Sequence, residues 1–255
     1  MAAGAGHDGV VRVAVWSGPR NISTALLRAW ENRDDTVVVD EPLYAHYLAV
    51  TGLDHPGRDE VIGAGETDWR TVVAGLLGPP PTGARVAYQK HMAHHLVPDV
   101  DRAWIAGSGL DNVLLIRDPD EVVASFVRGW PAGEGDLRAD DIGLPQQVEL
   151  HGELAAAGAA PLVIDAADLL RDPERYLRAW CDHLGLAFSD RMLSWPPGPR
   201  ASDGVWAPHW YDAVLRSTGF TPHAPRAVHL TGPPATVAAR CRPLYEHLHA
   251  RRWQP

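Results

Sequence analysis

Cysteine is nearly absent from this chain, with only Cys181 and Cys241 among 255 residues. Two thiols cannot build a disulfide framework, and they lack the paired spacing of a zinc site, so they read as reduced thiols in a reducing compartment. The opening nine residues, MAAGAGHDG, lack the basic flank and apolar run of a secretion signal, and no apolar stretch is long enough to span a bilayer. The expectation is a soluble, cytoplasmic protein without a membrane partner, in which residues 1–9 form a flexible tail. Positive charge is also scarce: 23 Lys and Arg face 32 Asp and Glu, a net charge of -9. That balance repels polyanions, and no basic run offsets it, so a nucleic-acid partner is not expected. A small nucleotide is a different case, because a few arginines and backbone amides gathered locally hold an anion even in an acidic protein. Internal repeats are missing too. So are the ATP-binding consensus G-x-x-x-x-G-K-[ST] and, around Ser17 or Ser108, the G-x-S-x-G of serine hydrolases.

The composition that remains, 45% hydrophobic and 22% charged with 24 Gly and 22 Pro, is that of a globular chain with many loops. Its length suits one α/β domain covering residues 1–255. Five short β-branched runs, at 11–16, 36–39, 84–88, 112–116 and 162–164, alternate with helical patterns at 24–32, 119–128 and 173–184. This alternation predicts an α/β fold in three layers, an open parallel sheet flanked by helices. The third helix has Pro173 in its first turn and Gly185 past its end, so both of its boundaries are marked. The Gly-, Pro- and Asp-rich stretches 129–146 and 194–207 are long for loops in a compact domain and are expected to cover the active site.

Ligands of open α/β sheets bind outside the carboxyl ends of the strands, so the residues after each run carry the most information. These are Ser17, Gly18, Pro19 and Arg20 after the first run, Asp40 and Glu41 after the second, Gln89, Lys90 and His91 after the third, Arg117 and Asp118 after the fourth, and Asp165 after the fifth. The first connection, WSGPRNIST, joins strand to helix through Ser17, Gly18, Pro19, Arg20, Asn21, Ile22, Ser23 and Thr24. Free amides at the helix start, one arginine and two hydroxyls make it a candidate phosphate cradle; the plainer alternative is a turn with a serine N-cap. In IRDPDEVVASF, Arg117 stands at a strand end and Ser125 about two turns into the following helix, placed to hold a second phosphate.

At these residues the chain resembles the P-loop sulfotransferases. WSGPRNIST is similar to their 5'-phosphosulfate loop and LIRDPDEVVASF to their 3'-phosphate motif. YQKHMAHHLVP, DAADLLRDPERYLRAWCDHLGL and GVWAPHW resemble, in the same order, three further segments of the family. SGPRNIST and VVDEPLYAHYL are particularly close to a bacterial-type branch. The resemblance implies a sheet of the P-loop NTPase-like kind, 3'-phosphoadenosine 5'-phosphosulfate (PAPS) as co-substrate, adenosine 3',5'-bisphosphate as product, a small-molecule acceptor and no metal. It implies that Arg20, Ser23 and Thr24 grip the 5'-phosphosulfate, that Arg117 and Ser125 grip the 3'-phosphate, and that Arg200 and Trp206 close over the nucleotide. Two departures from the cytosolic enzymes stand out: Arg20 replaces their loop lysine, and their R-K-G triplet is missing near residue 200.

Sulfuryl transfer needs a base for the acceptor and cations where charge builds on the leaving group. Arg20 and Lys90 are the candidates for the second task. For the first, Glu41 is preferred over His91, with Asp40 and His46 in orienting roles. His91, His94 and His95 have no glutamate or third ligand suited to a metal. Trp104, Trp130, Trp195, Trp206 and Trp210 are candidates for a stacking wall. Two rival readings remain, a small-molecule kinase and a non-catalytic nucleotide-binding partner subunit.

Overall fold

The computed structural model describes residues 9–81, 83–107, 109–129, 137–224 and 228–255. The expected tail lies almost wholly outside the described residues, as do Ser108 and Trp130. Strands β1 (Val11–Ser17), β2 (Thr36–Asp40), β3 (Val86–Met92), β4 (Asp111–Ile116) and β5 (Leu162–Asp165) form one sheet in the order β2-β3-β1-β4-β5. All four pairings are parallel. The helices that matter for the site are α1 (Ser23–Glu31), α2 (Tyr44–Thr51), α3 (Pro119–Gly129), α4 (Leu144–Ala156), α5 (Pro173–His183) and α6 (Gly232–His249).

Strand β1 is buried along its whole length, which is why VRVAVWS reads as an almost unbroken apolar run. Its side chains alternate between two cores. Val11, Val13 and Val15 pack with Leu26, Leu27 and Trp30 of α1 and with Leu177 and Trp180 of α5. Ala14 and Trp16 pack with Leu48 of α2, Leu150 and Leu154 of α4, and Val237 and Cys241 of α6. The sheet is therefore the middle of the three expected layers. Both cysteines are free and buried. No helix among the described residues is long and apolar enough to cross a membrane.

The third strand runs further than the sequence suggests. Pairing with β1 continues to Ser17↔Met92 and pairing with β2 to Asp40↔Lys90, so Gln89, Lys90 and His91 belong to β3 rather than to the loop after it. Successive strand residues face opposite ways, and Lys90 and His91 are thereby sent to different places.

The stretch 194–207 does not cover the site. Asp203 accepts two bonds from Arg28 of α1, at 2.5 and 2.8 Å, and one from the Arg200 amide at 2.8 Å, while Ser202 bonds Glu31. These contacts hold the segment against α1. The Arg28 side chain is 1% exposed and that of Asp203 6%, so truncating the arginine strands a buried carboxylate. Arg28→Ala is expected to cost roughly 3 to 5 kcal/mol. At 2–4 °C per kcal/mol that is about 10 °C in Tm, measurable by a thermal melt.

Candidate active site

All five strands point their carboxyl ends to one edge, where a cavity of about 480 Å³ opens. Residues 19–25 of the first connection line it, together with Glu41, Lys90, Arg117 and Ser125. Ser17 and Gly18 do not. The Ser17 hydroxyl is buried against the His91 carbonyl. At Gly18 a Cβ would collide with the Ile142 carbonyl, so glycine is needed there for close backbone approach. Gln147 of α4 braces the same sheet end, donating to the carbonyls of Trp16 and Leu115 at 2.8 and 2.9 Å.

The cradle turns through two left-handed residues, Arg20 at φ 58° and Ile22 at φ 52°. For a β-branched residue such as Ile22 this is a strained conformation, of the kind found where surrounding structure and ligand impose it. No side chain caps α1, contrary to the serine-cap alternative, and its first residues, Ser23, Thr24 and Ala25, line the cavity, where the amides of a helix's first turn lack intrahelical partners. Arg20 donates to the Ser125 hydroxyl at 3.1 Å and to the Trp210 carbonyl at 3.4 Å. Arg117 donates to the Arg20 carbonyl at 2.8 Å and to Glu121 at 2.9 Å. Burial, with Arg128 and Arg117 nearby, holds the Arg20 guanidinium below its ordinary pKa. Repelling cations beside an uncapped helix start form a site that an anion relieves.

Around Lys90 the arrangement is the reverse. Its ammonium is buried and donates to Asp40 at 2.7 Å, to Glu41 at 2.6 Å and to the Tyr211 hydroxyl at 2.8 Å. Tyr211 donates in turn to Asp40 at 2.5 Å and accepts from the Trp206 indole at 3.1 Å. The two carboxylates raise the Lys90 pKa well above its usual value despite desolvation. Burial raises Glu41, opposed by Lys90 and reinforced by Asp40. Glu41 also sits at φ 42°. A carboxyl with a raised pKa, open to the cavity and held by a fixed ammonium, has the properties of a general base.

His91 does not reach the cavity. Its ring stacks on Trp16 with centroids 4.1 Å apart, its Nε2 is 3.1 Å from Gln89, and burial pushes its pKa down to about 3. Strand parity explains the miss, since the neighbour of an inward Lys90 must point into the other layer. Arg200 is likewise turned to the α1 side, near Asp203 and Glu31. Trp206 stands behind the wall, edge-on to Tyr44. Of the proposed stacking residues Trp210 lines the cavity, whereas Trp104 packs by Trp16 and Trp195 is buried. Asp118 and Asp165 serve the fold, pairing with Arg242 and with Tyr245 plus the amides that start the helix Ala166–Arg171. Asp40 and His46 orient neighbours, the latter through Thr67 and Asp99.

Sequence reasoning missed Tyr211, although a lysine on a buried strand opposite Asp40 and Glu41 signals a closed polar network that needs a further partner. It also missed the aromatic end of the cavity. There His95 lies between Tyr44 and Tyr47, at 4.8 and 4.7 Å, and His94 meets Tyr47 edge-on. Among the described residues, the group spaced to hold a metal is Asp165, Asp168 and His249, whose carboxylates are already engaged by Tyr245, Arg171 and Arg252.

Residues 11–251 match the family model described as "Sulfotransferase domain". Two curated proteins of Arabidopsis thaliana are similar: branched-chain-amino-acid aminotransferase-like protein 2 is 35% identical over 238 residues, and the like-named protein 1 is 37% identical over 237. Each match covers 92% of this chain but 41% of the relative, so the chain spans less than half the length of these proteins. Among solved structures, the sulfotransferase domain from the Synechococcus PCC 7002 olefin synthase aligns over 91% of this chain and 94% of its own, with a TM-score of 0.50 and 19% identity. That likeness is one of fold.

Proposed function

Because the chain belongs to the sulfotransferase domain family, we propose that it transfers a sulfuryl group from PAPS to a hydroxyl or amine of a small-molecule acceptor. The observation that carries this reading is the meeting, in one cavity, of a cation-lined helix start and a buried carboxyl with a raised pKa. The single sheet and the cores on its two faces support reading the chain as one such domain. PAPS would lie with its phosphosulfate over Arg20 and the amides of α1 and its 3'-phosphate at Arg117 and Ser125. Leu170, Val214 and Phe220 offer an apolar wall for the base.

The acceptor's proton passes to the Glu41 carboxylate as its oxygen bonds to sulfur. The bond from sulfur to the 5'-phosphate oxygen breaks, and that oxygen leaves with the electron pair. Its charge falls to Arg20 and the α1 amides, preorganised donors of the kind that dominate such steps. Lys90, expected on the leaving-group side, is committed here to Asp40, Glu41 and Tyr211, and its main task in this reading is to fix Glu41.

Calorimetry with adenosine 3',5'-bisphosphate and with ATP plus magnesium tests the nucleotide class. Binding of the bisphosphate at least about tenfold tighter than ATP is the expected result. The reverse preference would favour a kinase.

A further inference from the structure

Charge is segregated along the cavity. Among the described lining residues the permanent cations are Arg20, Lys90 and Arg117. Arg117 donates to the Arg20 carbonyl and pairs with Glu121, and Arg20 meets Ser125, so this end keeps one net positive charge. Lys90 contributes no net positive charge at the other end, because Asp40 and Glu41 both bond its one ammonium. That end instead gathers carboxylates: Glu41 by Lys90, Asp54 beside His55, and Asp141 close enough to Tyr47 to act on its phenol.

The histidines there do not restore the balance. Burial pushes His94 down to about 3 and His95 well below its ordinary value, so both are neutral at physiological pH. The Nδ1 atoms of both are buried without a hydrogen-bond partner, and the rings serve as packing for Tyr44 and Tyr47. Three carboxylates and, beyond the paired Lys90, no further permanent cation here among the described lining residues make this an end that attracts a cation and repels an anion.

Resting on the sulfotransferase reading above, we propose that the acceptor is a hydroxyl compound carrying a protonated amine, and that acceptors bearing a carboxylate or phosphate are turned away. Glu41 would meet the hydroxyl, while Asp54 and Asp141 would take the ammonium. Burial raises the Asp141 pKa although the Arg138 amide and guanidinium act against it, and a neighbouring ammonium would offset the remaining cost. Discrimination arises as much from repulsion of the wrong partner as from attraction of the right one.

Matched probes test the proposal: tyramine, 4-ethylphenol and 3-(4-hydroxyphenyl)propanoate, and separately 4-aminobutanol, butanol and 4-hydroxybutanoate. Each is titrated into the protein saturated with adenosine 3',5'-bisphosphate and assayed with labelled PAPS. The cationic member of at least one set should bind and accept sulfate at least about tenfold better than its neutral partner, with the anionic member worst. The preference should shrink in Asp54→Asn and Asp141→Asn. Asp54 is exposed and its variant carries little folding risk, and bisphosphate binding reports whether either variant is folded. Equal or better performance by the neutral or anionic members, absence of binding by all six, or a preference unchanged in the double variant overturns the proposal. A wild type that binds the bisphosphate but fails this test leaves the sulfotransferase reading standing; one that does not bind it defeats both.

Discussion

Arg117→Ala is expected to weaken binding of adenosine 3',5'-bisphosphate by about 10²- to 10³-fold, one of two effects that calorimetry and transfer assays can separate. Arg117 stands at the end of β4 with its side chain 25% exposed, held by Glu121 and by the Arg20 carbonyl. Its substitution removes a charge-assisted contact and also frees the cradle backbone. Loss of one partner from a desolvated, charged contact typically costs roughly 2 to 5 kcal/mol. Arg117→Lys keeps the charge without the planar fork and should recover only part of the affinity. Affinity within about threefold of the wild type would show that the 3'-phosphate is held elsewhere.

Glu41→Gln is expected to lower transfer from labelled PAPS by about 10²- to 10⁴-fold while bisphosphate binding stays close to that of the wild type. A base acts when deprotonated, so the wild-type rate should rise with pH through the raised Glu41 pKa, and this limb should vanish in the variant. Stability runs the other way. The folded state holds the Glu41 proton more tightly than the unfolded chain does, so the stability this group contributes is full below its unfolded value near 4.5 and is lost as pH rises through the folded value. The amide removes that dependence. A comparison of pH-stability profiles, in which the variant loses less stability than the wild type above pH 4.5, checks the same assignment without any acceptor. A variant with full transfer activity would eliminate Glu41 as the base.

The strands were legible because a sheet covered on both faces demands continuous β-branched runs, and the loop WSGPRNIST was legible as a strand-to-helix connection because its Gly, Pro and Asn interrupt the apolar run. Helix α2 was not: YAHYLAVT is apolar or aromatic on most of its faces and shows no clear period. Helix α6 opens on Pro233 and Pro234 and contains Pro243, residues that read as loop signals. The end of β3 was hidden because Gln89, Lys90 and His91 are polar, and what buries them comes from β1, β2 and Tyr211, far away in sequence. Of the site, Arg20, Glu41, Lys90, Arg117 and Ser125 line one cavity as expected. His91 and Arg200 were misplaced by the same limitation: spacing identifies a segment, whereas side-chain direction depends on strand register and on ion pairs such as Arg28 with Asp203.

Among the described residues, the three non-glycine residues with left-handed backbones, Arg20, Ile22 and Glu41, all line this cavity. Glycine would relax each of them, since strain of this kind is worth roughly 1 to 3 kcal/mol per residue. Yet at two of the three positions glycine would also delete the charge on which the proposed chemistry depends. Directed evolution of this chain for heat resistance alone would therefore be drawn toward the positions it can least spare, and a screen that counts survivors without counting turnover would select well-folded, inert proteins.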